Sequence, residues 1–218
     1  VHGVGRQIGD SQTIRDVLSR LGGTSAVESA FVAISFGFLG IAASAQAISS
    51  ALRLHSEEAA GRAEPTLAGA VSRSRWAASH LLFAVGGPAV ALMAAGVVAG
   101  LTYGLAADDV GGRLPGVLSA AAVQLPFVWL SAGIALCLFG IVPRFAQMVW
   151  GFFIAFVALY FLGSVAGMPQ WVLDVSPFSH VPRVPGEALH PSPVIWALVV
   201  DLALLTLGLL GLHRRDIR

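Results

Sequence analysis

The sequence predicts an all-α integral membrane protein, a bundle of about five transmembrane helices. Two features of composition and one of pattern predict it. Of the 218 residues, 56% are hydrophobic and only 11% charged. A soluble domain needs about 25% charged residues to cover a surface that faces water. Mean hydropathy is +0.79, so the second solvent is lipid. The apolar residues gather in five stretches long enough to cross about 30 Å of hydrocarbon, which takes about 20 helical residues at 1.5 Å each.

Those stretches run roughly over 29–52, 77–105, 117–141, 146–167 and 193–212. The second is long enough to tilt or to bend at Gly86-Gly87-Pro88. The third contains Pro126, which a membrane helix tolerates when neighbours satisfy the freed carbonyl. Only Val142-Pro143-Arg144-Phe145 joins the third to the fourth, so these two form a tight antiparallel hairpin.

Arginine placement sets the orientation. Loop 53–76 holds Arg53, Arg62, Arg73 and Arg75, the turn holds Arg144, and the tail holds Arg214, Arg215 and Arg218. These fall on one side, and Arg6, Arg15, Arg20, Arg113 and Arg183 are spread along longer segments of the other. The positive-inside rule makes loop 53–76 and the C-terminus cytoplasmic, with the N-terminus outside. Residues 1–28 then form an extracellular segment. Within it Ile14, Val17, Leu18 and Leu21 have helical spacing, after Asp10 or Ser11 as an N-cap, and describe a short amphipathic helix at the surface. Residues 1–25 contain no apolar signal-peptide core. An external polar N-terminus is then expected to follow a preceding span, cut off or carried on another chain, with unaided translocation of a short tail as the other reading. Segment 168–192 carries Pro169, Pro177, Pro182, Pro185 and Pro191 around Trp171 and Phe178, and reads as a re-entrant or interfacial element on the outer face. An ordinary proline-rich loop is the other reading.

Loop 53–76 carries the most chemical information. Ser56 can cap a helix that has Glu57 and Glu58 at its positive end. Glu58 and Arg62 stand at i, i+4 in the favourable order. Pro65 ends that helix or opens a second one, with Leu67, Ala70 and Val71 on one face. Trp76 anchors the next span at the interface. Such an element suits docking to a cytoplasmic protein, and periodicity alone fits a solvated turn as well.

Within the spans, Gly96, Gly100 and Gly104 repeat every four residues, the spacing that lets two helix backbones approach. Gly40 with Ser44, and Ala43 with Ala47, do the same in the first span. Glu28 sits at the outer end of that span, where exposure costs little. Asp201 lies near the centre of the last span, where an acid costs on the order of +2.5 to +3.5 kcal/mol. Twelve leucine, valine and isoleucine neighbours, each contributing on the order of −0.3 to −0.6 kcal/mol, outweigh it. Asp201 is therefore expected to face the bundle, hydrogen-bonded to Gln46, Ser44 or Gln124. Asp201, Gln46 and Gln124 are the candidates for a translocation path, with a helix-packing bond as the other reading for Asp201.

Enzyme chemistry finds no support. All thirteen basic residues are arginine, so a P-loop, which needs its lysine on the β/γ-phosphates, is excluded from this chain, as is a Schiff-base lysine. There is no H-E-x-x-H, no G-x-S-x-G and no Cys/His cluster. The six histidines are scattered, and His80 is placed to hydrogen-bond at the interface. Cys137, the single cysteine, has no disulfide partner and reads as a small buried hydrophobe. No catalytic residue, metal or nucleic-acid partner is expected.

Loop 53–76 resembles a known family. The run Glu57-Glu58, Gly61-Arg62-Ala63-Glu64-Pro65, Leu67, Val71-Ser72-Arg73, Trp76 and Ser79-His80-Leu81 is similar to membrane permeases of type-2 ATP-binding-cassette (ABC) exporters, especially actinobacterial exporters of polyketide antibiotics. Ile8-Gly9-Asp10, Leu21-Gly22-Gly23, Ser176-Pro177-Phe178-Ser179-His180, Pro185-Gly186 and Arg214-Arg215-Asp216-Ile217 extend the resemblance along the chain. Thr66 departs from the leucine common there. The resemblance implies a coupling helix at 57–73, with Glu57, Glu58, Gly61, Arg62, Glu64, Pro65, Leu67, Ser72 and Arg73 docking on a dimeric cytoplasmic ATPase that holds ATP and Mg. It implies short outer helices over 168–192 and a six-span unit of which this chain matches the later part. The remaining permease half, or a second permease chain, would complete it. The expected function is antibiotic or multidrug efflux of hydrophobic small molecules across the bacterial cell membrane. An ion-coupled carrier using Asp201, or a non-transporting scaffold subunit, are the readings from other classes.

Overall fold

A computed structural model describes residues 24–60, 73–163 and 165–214. Among these the regular elements are all helices, joined by turns, with no strand. Helix α1 spans Thr24–Ala59, α2 Arg73–Ala106, α3 Val110–Ala122 and α4 Leu125–Ile141. A 3-10 helix over Pro143–Met148 leads into α5, Val149–Leu162. Two short elements follow, α6 over Gln170–Leu173 and a 3-10 turn over Pro177–His180, before α7 at Pro191–Arg214.

Five candidate membrane spans result: Val27–Glu57, Ala78–Ala106, Val110–Ile141, Pro143–Leu162 and Pro191–Leu212. The protein is a multi-pass membrane protein of the expected fold class. Its large apolar side chains point outward in numbers no water-facing surface carries; Phe31, Phe83, Val90 and Leu202 are each about 70% exposed. The buried core is made of Ile48, Leu54, Val128, Leu136, Phe139 and Val149, where α1, α4 and α5 meet. A smaller cluster of Phe36, Val117, Ala120 and Ala121 joins α1 to α3.

Three elements differ from expectation. The third span begins at Val110, not near 117, because Asp109 caps α3 by accepting a hydrogen bond from the Gly112 amide at 2.9 Å. That span is also two helices in series. The chain turns at Val123-Gln124, and Pro126 stands in the first turn of α4, where its missing N–H costs nothing. A second helix proline, Pro88, stands inside the continuous α2. Trp129 of α4 donates its indole N–H to the Val85 carbonyl at 3.1 Å, next to the Ala84 carbonyl that the proline leaves without its helix partner. The hairpin after α4 is no bare turn either. Pro143 stops α4, and residues 143–148 form a 3-10 helix.

Segment 168–192 turns back among the helix ends. Ser176 is fully buried and donates to the Phe156 carbonyl at 2.9 Å. Phe178 is 6% exposed and meets the rings of Phe153 and Tyr160 edge-on at 6.2 and 6.4 Å. Trp171 stays 72% exposed. Of the expected extracellular amphipathic segment 1–28, residues 1–23 lie outside the described residues, and the rest begins α1.

Candidate functional site

Most of the expected coupling element, Gly61, Arg62, Glu64, Pro65, Leu67 and Ser72, lies outside the described residues, as do the side chains of Glu58, Arg73 and Trp76. Its two stems are described. The first is not a new helix capped by Ser56. Helix α1 runs on to Ala59, and the Ser56 hydroxyl turns back to the Arg53 carbonyl at 2.9 Å. Glu57, in the last turn of α1, reaches His80 near the start of α2, with 3.1 Å between Oε2 and Nε2. The stems are thus tied together beside the loop. His80 holds a carboxylate, and no metal-binding group occurs among the described residues.

The glycine stripe faces α3. A methyl group on Gly96 would stand 3.0 Å from Ala121 Cβ, one on Gly100 2.6 Å from Leu114 Cδ1, and one on Gly104 2.6 Å from the Val110 Cα. A second, closer contact escaped the sequence reading. Gly140 of α4 meets Gly208 and Gly211 of α7 with backbone against backbone, and a methyl on Gly140 would overlap the Gly208 carbonyl. These glycines lack the four-residue repeat that marks α2, and only the pairing of 140 with 208 and 211 exposes their role.

The three residues expected along a path do not converge. Gln46 is exposed on α1 and packs beside Gly87 of α2. Gln124 is buried against Gly40. Asp201 does face the bundle, 6% exposed, but it lies between α7 and Gly133 of α4. None of its expected partners bonds to its Oδ1, which has no hydrogen-bond partner among the described residues. Ser44 is fully buried and spends its hydroxyl on the Gly40 carbonyl at 2.9 Å. Cys137 is half-buried, and it is more open than a core residue.

The opposite end of the bundle holds what sequence reasoning missed. Glu28 at the start of α1 is not merely exposed. It accepts a hydrogen bond from the Tyr103 hydroxyl of α2. Arg113 of α3 donates to Glu28 at 3.2 Å and to the Tyr103 oxygen at 2.7 Å, with its guanidinium 4.9 Å above the Tyr103 ring. Asp109 stands 4.0 Å from the same guanidinium. One network therefore pins α1, α2 and α3 together. Beside it, Pro185 packs on Gly116 and Gly186 on Ser29, so the turn at 183–187 seats on α1 and α3.

Under that turn lies a cavity of about 670 Å³. One face of α1, Ser29, Ala30, Ala33 and Ile34, forms a wall, and Tyr160, Arg183 and Glu187 supply polar groups. A separate space of about 30 Å³ shares Ala33, Tyr160 and Arg183 in its lining and reaches Gln124. A drug-sized pocket has this volume and this mixture of apolar wall and few polar groups. Of the candidate path residues, Gln124 alone touches these two spaces.

Comparison with known proteins agrees with this membrane architecture. Residues 1–213 match the family model described as "Multidrug efflux system permease Rv1217c, C-terminal domain". The whole chain is 52% identical over 218 residues to the multidrug efflux system permease protein Rv1217c of Mycobacterium tuberculosis strain H37Rv, and spans 40% of that relative's length. The chain therefore belongs to the Rv1217c C-terminal domain family, a family of ABC exporter permeases.

Proposed function

We propose that this chain is the membrane-spanning part of an ATP-driven exporter in the bacterial cell membrane, and that it moves drug-like amphiphiles outward. The observation that carries this reading is the 52% identity along the full chain to a protein named as a multidrug efflux permease. These 218 residues contain no lysine and so no P-loop of their own. ATP and Mg are held by a separate dimeric ATPase on the cytoplasmic side. The chain itself does no catalysis, and a remaining permease half or second permease chain completes the path.

Loop 53–76 is the grip for that ATPase. The Glu57–His80 bond supports this, since it makes the stems of α1 and α2 move as one body when the loop is pushed. The Glu28–Tyr103–Arg113 network ties the far ends of the same helices and adds α3. A push at one end then tilts a three-helix lever against α4 and α7. Asp201 lines none of the cavities described above, which disfavours the ion-coupled reading.

The test is the double variant Glu58→Ala/Arg62→Ala in the full transporter. ATP hydrolysis should persist while export of a fluorescent amphiphile falls at least tenfold, with membrane levels unchanged. Unchanged export would remove the coupling assignment.

A further inference from the structure

We propose that the cavity beneath the 183–187 turn binds a zwitterionic amphiphile, with Arg183 meeting its anionic group, Glu187 its cationic group, and the α1 wall its apolar body. The proposal rests on the permease reading for what the ligand is, a transported compound, and on geometry alone for where it binds.

Depth comes first. Ser29 to Ile34 are the third to eighth residues of the span that begins at Val27, about 3 to 10 Å below its end at 1.5 Å per residue. Tyr160 is the third residue from the other end of its own span, Pro143–Leu162. The cavity thus sits where hydrocarbon gives way to head groups, the level at which amphiphiles place their polar ends.

Charge comes second. Arg183 and Glu187 leave one turn, closed by a hydrogen bond from the Glu187 amide to the Arg183 carbonyl at 3.0 Å. Both are exposed and both line the cavity. Although only four residues apart, they do not pair with each other, and among the described residues neither side chain has an ion-pair partner. A guanidinium and a carboxylate on one wall give any singly charged head one attraction and one repulsion. A head that carries both signs satisfies both. The Tyr160 and Ser29 hydroxyls add neutral donors, and the volume of about 670 Å³ is that of a drug-sized ligand.

Three probes with the same tail separate the charges: N-dodecylglycine, its methyl ester, and its N-acetyl derivative. Native mass spectrometry of the purified protein from nanodiscs counts bound copies without ATP or ATPase. N-dodecylglycine should bind at least tenfold tighter than either capped form. Arg183→Gln should erase the difference from the ester, and Glu187→Gln the difference from the acetylated form. Arg144→Gln, at the far end of the bundle, should change nothing. Equal binding of all three probes, or an unchanged ranking in both turn variants, overturns the proposal. So does an equal effect from Arg144→Gln, which would mean bulk electrostatics. Displacement of the probe by phosphatidylethanolamine nanodiscs and not by phosphatidylglycerol would assign the site to a zwitterionic lipid, and its absence to a mobile solute; either keeps the site. Because no ATP is present, a negative result leaves the export reading standing, and uncoupling at Glu58 and Arg62 can fail without touching this site.

Discussion

Tyr103 sits at a junction that one atom holds together. Its hydroxyl donates to Glu28 and accepts from Arg113, so removing that oxygen takes two charge-assisted bonds from three helices at once. Glu28 and Arg113 keep each other at 3.2 Å, so no charge is stranded. Their side chains are 42% and 35% exposed, so water screens much of the network and the measured cost stays near the value for exposed pairs. Tyr103→Phe should therefore lower stability by about 1 kcal/mol, read as a lower melting temperature in detergent, and the difference should shrink in high salt. A variant as stable as the parent at low salt would show that the network carries no weight. Asp201 presents the opposite case, a polar atom without a bond. Gly133 leaves it room, since a methyl there would lie 2.7 Å from Oδ1.

At the scale of helices, packing is decided where side chains are absent. The contact of α4 with α7 rests on Gly140, Gly208 and Gly211, and no side chain there can swing aside, because the obstacle is backbone. Gly140→Ala must push the helices apart and lose the dispersion contacts that hold them in lipid. A cost of about 3 kcal/mol, the upper range for overpacking, should appear as lost thermal stability or failed expression. Gly86→Ala, with nothing within 4 Å of its added methyl, should cost nothing, since alanine favours helix over glycine. Equal behaviour of the two would refute this account of the interface. The comparison also shows what was legible beforehand. Apolar stretches and the stripe at 96, 100 and 104 are local patterns, visible within one helix. The Gly140–Gly208 contact and the bonds of Glu28 to Tyr103 and Arg113 join residues about 70 to 85 positions apart, and no periodicity records which face meets which. The same blindness assigned Asp201 to Gln46, Ser44 or Gln124. A helical pattern shows that a residue points inward, not what waits there. The turn at Val123-Gln124 was hidden because two short helices in series have the hydropathy of one long span.

For the molecule as a whole, the two ends differ in kind. The Glu57 end gathers Arg53, the turn with Arg144 and the end of α7, and there the Glu57–His80 contact joins α1 to α2. The other end carries the seated 183–187 turn, the Glu28 network and the large cavity. An exporter needs that asymmetry in one sense only. On the proposed reading ATP is supplied from the cytoplasm, which puts the loop 53–76 end inside and the cavity outside. Arginine distribution points the same way, because positive residues stay on the cytoplasmic side during insertion. With Cys137→Ala as background, Thr66→Cys and Ala188→Cys report the two ends separately. A membrane-impermeant maleimide should label position 188 in intact cells and position 66 only after the cells are opened. The reverse pattern would place the coupling loop beyond reach of any ATPase, and it would do so whatever the identity to other permeases, because no packing inside the bilayer can carry a push from a protein on the wrong side.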